Sequence, residues 1–274
     1  MSDSSKTEPK RSGLACIWRL PLTMLRFVLK FIKTVLIFLL YVIFMLVFVT
    51  PGAFIYLKFG KRSEKKKENL HKFIRWAARF GISLLGLFGN RFTLGGRTDE
   101  DFSRPAIITC NHQSHLDLLP MLALTPKLVI LTADWVWYNP LYGFIIREAD
   151  YLPASKGLEV IAPRLRELVQ KGYSIAVYPE STRSMDCSIG RFHQGAFYLA
   201  EQFQVDILPV ILHGAGKALP KHGRLLNRGP IRMEIDPRIS PEEMKQHGDT
   251  LKAQASYLRS YYISRYQEIE DAAQ

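Results

Sequence analysis

Residues 105–117 read PAIITCNHQSHLD, and the change of character at Asn111 decides the fold. The first six are a short apolar run rich in β-branched residues, the composition of a strand buried on both faces. The next seven turn polar, and Ser114 stands where it can cap a helix over 115–124. Strand, polar loop and helix together open a βα unit.

Working outward, the alternation continues downstream. Strands are predicted at 127–131 (KLVIL), 151–153, 173–178 (YSIAVY), 205–212 and 230–236. Helices are predicted at 139–148, at 157–171 and at 192–203, followed by a mostly helical tail over 241–269. The second of these puts Leu158, Ile161, Leu165 and Leu168 on one face and closes at Gly172. This pattern predicts an α/β domain over 91–274, with a mixed, largely parallel sheet flanked by helices.

Upstream the chain is different. No charged residue occurs from 34 to 57, and 35–49 (VLIFLLYVIFMLVFV) is apolar throughout. A helix of about 20 such residues spans a hydrocarbon core. Before it, Arg19, Arg26, Lys30 and Lys33 share one helical face, as in a helix lying among lipid phosphates. Seven Lys and Arg precede the apolar run, and eight follow between Lys58 and Arg75. With both flanks equally basic, the positive-inside rule puts both on the cytoplasmic side. That favours a re-entrant or monotopic hairpin bending near Pro51-Gly52 over a single span. The expected organisation is a disordered basic tail over 1–18, a membrane-embedded or interfacial helical segment over 19–60, and amphipathic interfacial helices over 61–90. The last begin with a charged hinge at 61–72 and continue as a second amphipathic segment at 73–88.

Charge sorts the partners. Residues 1–100 hold 18 Lys and Arg against 6 Asp and Glu, whereas 101–274 hold 19 of each, so the net charge of +12 lies wholly beside the most apolar part of the chain. An anionic lipid leaflet fits that placement, and nucleic acid does not. A 47% apolar content excludes a disordered chain, and three scattered cysteines (Cys16, Cys110 and Cys187) give no disulfide framework or thiolate metal site.

Chemistry collects where strands end and helices begin. His112 falls at a strand tip, and Asp117 falls in the first turn of the following helix. The carboxylate can fix the imidazole tautomer and raise the basicity of the other ring nitrogen. This is a general base with its orienting acid, and a substrate hydroxyl would supply the nucleophile. His112, His115 and Asp117 lack the further ligands of a metal site, so no metal is expected. Cys110 or Ser114 as nucleophile would instead make a thioester hydrolase.

Asn111–Asp117 (NHQSHLD) resembles the NHxSxxD signature of the glycerolipid acyltransferase family, whose best-known members acylate 1-acyl-glycerol-3-phosphate. Tyr178–Ser184 (YPESTRS) is similar to that family's FPEGTRS block, and Ile207-Leu208-Pro209-Val210 to its closing apolar block. The resemblance covers roughly 73–240. It implies the glycerol-3-phosphate acyltransferase-like fold and a membrane-bound O-acyltransferase of the cytoplasmic membrane, with its catalytic domain on the cytoplasmic side. The donor would be an acyl-ACP or acyl-CoA thioester, without a cofactor. His112 and Asp117 would be catalytic. Glu180, Ser181, Thr182 and Arg183 would bind the lysolipid acceptor, and Lys156, Asn111 and Ser114 would also bind substrate. An apolar groove for the acyl chain is expected near the second amphipathic segment. Two departures stand out. The family's second block ends in an arginine, but 149–156 (ADYLPASK) has only the adjacent Lys156, a point charge rather than a planar fork. Ser181 replaces a glycine. A lyso-amino-acid lipid or another non-phosphate acceptor is therefore an alternative, and a non-catalytic membrane anchor is a third reading.

Overall fold

The structure, a computed structural model, describes residues 19–59 and 63–272. The expected tail over 1–18, with Cys16, lies outside the described residues. The chain begins with α1 (Arg19–Phe44), a π-helical turn (Met45–Val49) and α2 (Thr50–Lys58), then α3 (Glu64–Leu87). The α/β part follows as β1 (Phe92–Gly96), β2 (Ala106–Cys110), α4 (Leu118–Leu124), β3 (Leu128–Thr132), α5 (Asp134–Trp137), α6 (Gly143–Glu148) and β4 (Leu152–Pro153). It continues with α7 (Leu158–Gln170), β5 (Ser174–Val177), α8 (Gly195–Phe203), β6 (Asp206–His213), α9 (Ala215–Ala218), β7 (Ile231–Ile235), α10 (Pro241–Gln246) and α11 (Leu251–Asp271).

Seven strands form one sheet in the order β1-β7-β6-β2-β5-β3-β4. Every neighbouring pair is parallel except β6 with β7. The expected mixed, largely parallel sheet is therefore present, with the addition of edge strand β1. β2 lies at its centre, buried at every residue, and its C-terminal end shares one sheet edge with the ends of β5 and β6.

Pro209 sits in the middle of β6, where it cannot donate to the ladder. Tyr262 of α11 repairs the gap. Its hydroxyl accepts from Val210 N at 3.1 Å and donates to Thr109 O at 2.7 Å. The C-terminal helix is thereby stitched between the two central strands just below the site.

The chain does not bend at Pro51. Pro51 occupies the first turn of α2 after the π-helical turn, a position where a missing N–H costs little. The chain stays helical to Lys58, and α3 begins after Ser63, whose hydroxyl caps it by accepting from Lys66 N at 3.2 Å. α3 then returns along α1. Phe80 stacks on Phe44 with ring centroids 4.1 Å apart, and Lys33 reaches Phe88 O at 3.3 Å. The helix from Leu22 to Lys58 is 37 residues long and apolar enough to cross a membrane. At 1.5 Å per residue it is about 55 Å long, well beyond a hydrocarbon core of about 30 Å.

Candidate active site

Asn111, Gln113, Ser114 and Asp117 of the polar run after β2 are buried, so their polar groups call for partners. Asn111 extends the ladder beyond the last strand residue: its amide donates to Leu212 O at 2.8 Å and accepts from Leu212 N at 2.7 Å. This fixes the direction in which the chain leaves the sheet. Asn111 is thus a structural clamp with both ends of its amide occupied, and it does not face a substrate. Ser114 caps the 3₁₀ turn His115–Asp117 that precedes α4, and its hydroxyl donates to Leu219 O at 2.8 Å. It too is engaged in holding the loop.

Asp117 is fully buried. Its Oδ2 accepts from Gln113 N at 2.6 Å and Ser114 N at 2.8 Å, and lies 2.9 Å from His112 Nδ1. With two backbone donors fixing the carboxylate, Nδ1 carries the proton and Nε2 is left as the basic nitrogen. The His112 ring stacks on Tyr178 with centroids 4.3 Å apart. Burial pushes the Tyr178 phenol far above its ordinary pKa, so that wall of the site stays neutral.

The 178–184 block grips the backbone of His112 from both sides. Glu180 Oε1 accepts from His112 N at 2.9 Å, and Ser184 N donates to His112 O at 2.7 Å. The other oxygen of Glu180 accepts from Gly190 N at 2.8 Å. A Cβ at Gly190 would stand 2.8 Å from that oxygen, so the close approach requires glycine. Glu180 is therefore buried and saturated by two backbone donors. Burial raises its pKa, while the two N–H groups pull it back. Its place is under the base, and the expectation that it binds acceptor is corrected accordingly.

Ser181 and Thr182 are exposed at the turn. Ser181 has φ +58°, a left-handed conformation that accounts for a glycine being the usual residue there. Arg183 is partly exposed, and His115 lies within its field: burial lowers the His115 pKa, and Arg183 and then His112 lower it further. Lys156 is not brought to this cluster. Its ammonium sits over the Trp137 indole, 4.6 Å from the ring centroid. Cys110 is fully buried, and burial drives its thiol far above the ordinary value, which removes it as a nucleophile.

Two contributors escaped sequence reasoning. Gln113 donates to Cys187 O at 2.8 Å and accepts from the Tyr266 hydroxyl at 3.4 Å. Arg259 donates to Gly190 O at 2.8 Å and Ile189 O at 3.1 Å, bracing the glycine that holds Glu180. The only cue was a basic residue in a helical tail, which carries no address. A cavity of about 530 Å³ lies against the second amphipathic segment, walled by Ile82, Phe92, Leu94 and Met233 together with Arg75, Arg79, Glu100 and Asp101, at the sheet edge where β2 begins and so opposite His112. No group of metal-binding side chains occurs among the described residues.

The sequence model described as Acyltransferase matches residues 64–213. A chloroplastic 1-acyl-sn-glycerol-3-phosphate acyltransferase of Arabidopsis thaliana is 32% identical over 136 residues, covering 48% of this chain and 38% of that protein. The human 1-acyl-sn-glycerol-3-phosphate acyltransferase alpha is 27% identical over 191 residues, covering 67% of this chain and 66% of that protein. The chain thus spans well under half the length of the Arabidopsis relative. The crystal structure of the 1-acyl-sn-glycerophosphate acyltransferase PlsC from Thermotoga maritima superposes with a TM-score of 0.73 at 19% identity, over 89% of this chain and 98% of that one. At that identity the likeness establishes the fold.

Proposed function

This chain belongs to the glycerolipid acyltransferase family, and from that premise we propose that it moves a fatty acyl group from a thioester donor, acyl-CoA or acyl-ACP, to the hydroxyl of a lysophospholipid such as 1-acyl-glycerol-3-phosphate. The observation that carries the reading is the buried Asp117 carboxylate 2.9 Å from His112 Nδ1, which leaves Nε2 as the base. Nε2 takes the proton of the acceptor hydroxyl as its oxygen attacks the thioester carbonyl, and Asp117 stabilises the imidazolium that forms. Collapse of the tetrahedral intermediate breaks the carbon–sulfur bond, and His112 returns the proton to the leaving thiolate. No covalent enzyme intermediate is needed, because the thioester is already activated and positioning supplies much of the rest.

The acceptor is lipid, and the surface of α1 and α2 fits that. A catalytic domain held on the cytoplasmic face by the hairpin and its cations would meet its acceptor at the interface. Hydrolysis through Cys110 or Ser114 is disfavoured by the burial of the thiol and the commitment of the hydroxyl to Leu219 O.

The test is thiol release by the full chain in detergent, given acyl-CoA or acyl-ACP and a panel that includes 1-acyl-glycerol-3-phosphate and lyso-amino-acid lipids. Release should require an acceptor, be highest with 1-acyl-glycerol-3-phosphate, and fall about 10²–10⁴-fold in His112→Ala. Acceptor-independent release, or full activity in His112→Ala, rejects the mechanism. Preference for a lyso-amino-acid lipid rejects the phosphate acceptor alone.

A further inference from the structure

Arg183 has no carboxylate partner among the described residues. Its guanidinium donates to the carbonyl of Lys221 at 3.1 Å, and the ammonium of Lys221 donates in return to Thr182 Oγ1 at 3.1 Å. Each cation is thus held on the segment that carries the other, and an anion bound there would be attracted by both.

The segment that presents Lys221 is built to stay in place. Gly223 N donates to Pro220 O at 2.9 Å, closing a β-turn with Lys221 and His222 at its corners. Just before it, Leu219 O accepts a hydrogen bond from the Ser114 hydroxyl at 2.8 Å. One short loop is therefore pinned to the His112 loop on one side and to Thr182–Arg183 on the other. It lies beyond residues 64–213, the part matched by the family. The cation of the 149–156 block that stands nearest to the missing arginine, Lys156, is over the Trp137 ring instead.

We propose that Lys221 is the second cation of the acceptor site, so that a phosphate monoester headgroup is held between the Arg183 guanidinium and the Lys221 ammonium. The planar fork supplies direction and the ammonium supplies charge. The inference rests on the acyl-transfer reading for the identity of the ligand, while the site itself can be tested without turnover.

Glycerol 3-phosphate is the probe, with binding to the full chain in detergent followed by ligand-detected NMR. Lys221→Met should weaken its Kd about tenfold, and Lys221→Arg should restore most of the loss. With 1-acyl-glycerol-3-phosphate, KM should rise by a similar factor while kcat stays within about twofold, the pattern of lost uniform binding. Equal binding by wild type and Lys221→Met overturns the proposal, as does no binding by the wild type. Binding that depends on Lys221 without acyl transfer to any acceptor upholds the site and rejects the acyltransferase reading.

Discussion

The helical hairpin and the catalytic edge of the sheet treat water in opposite ways. Along α1 and α2 large apolar side chains stand clear of the protein, with Phe38 67% and Phe48 61% exposed. Each such ring left in water forgoes about 1.5–3 kcal/mol of burial. At the catalytic edge the reverse holds: Asn111, Gln113, Ser114, Asp117 and Glu180 are buried and bonded to backbone, although Oδ1 of Asp117 has no partner. Unpaired, groups of this kind would cost about 1–3 kcal/mol apiece. Apolar surface is thus left bare along the hairpin, and polar groups are withdrawn from water around His112.

The hairpin docks on the sheet at His71, where β3 and β5 begin, which makes it the place to test how the apolar region is held to the rest. It is on α3, buried, with its ring 4.9 Å from that of Tyr173. Burial lowers its pKa to about 4, against the opposite pull of Asp150 and the carbonyls of Ala149 and Leu128. The folded protein therefore binds fewer protons than the unfolded chain between about pH 4 and 6.5, and stability must fall as pH drops through that window. The loss approaches about 3 kcal/mol at the lower end. In His71→Phe, which keeps a ring against Tyr173, the thermal midpoint should depend on pH less steeply between about pH 7 and 4. An unchanged slope would mean that the hairpin is not docked through a neutral histidine.

A smaller effect sharpens the other side of the comparison. Glu180→Gln keeps the shape but sets an amide NH₂ against one of two backbone donors. One buried N–H then loses its acceptor, at about 1–3 kcal/mol, or roughly a tenfold fall in kcat if the strain is relieved by shifting His112. The acceptor KM should hold. A raised KM with unchanged kcat would return Glu180 to the acceptor site that its sequence context suggests.

That correction shows what the sequence carries and what it does not. The step from PAIITC to NHQSHLD is a local change of chemistry, and His112 and Asp117 are close enough along the chain for spacing to imply contact. Glu180 and Gly190 reach His112 only through the pairing of β2 with β5, which no local pattern records. β1 is not among the expected strands, and its two glycines give the reason: a Cβ at Gly95 would lie 2.4 Å from Glu234 Oε1 and one at Gly96 2.2 Å from Ile235 O. These glycines admit β7 rather than end a strand. Pro51 was over-read in the opposite sense, since a helix restarting after a π-helical turn accepts proline in its first turn.

Ser181 offers the smallest change and the most discriminating one. Its left-handed backbone costs an L-residue about 1–2 kcal/mol, and the greater freedom of glycine in the unfolded chain returns about 0.5–1 kcal/mol of any gain. Its hydroxyl makes no hydrogen bond within the described residues, so Ser181→Gly breaks no contact. The net expectation is a gain of about 0.5–1 kcal/mol, a rise in thermal midpoint of about 2 °C. Read beside KM for the acceptor, that rise tells two histories of the residue apart. If KM is unchanged, serine is a tolerated strain and the edge is organised entirely by its buried bonds. If KM climbs while the midpoint rises, the strain is retained because the exposed hydroxyl touches the acceptor, and the catalytic edge then has a wet, ligand-facing rim as well as its buried frame.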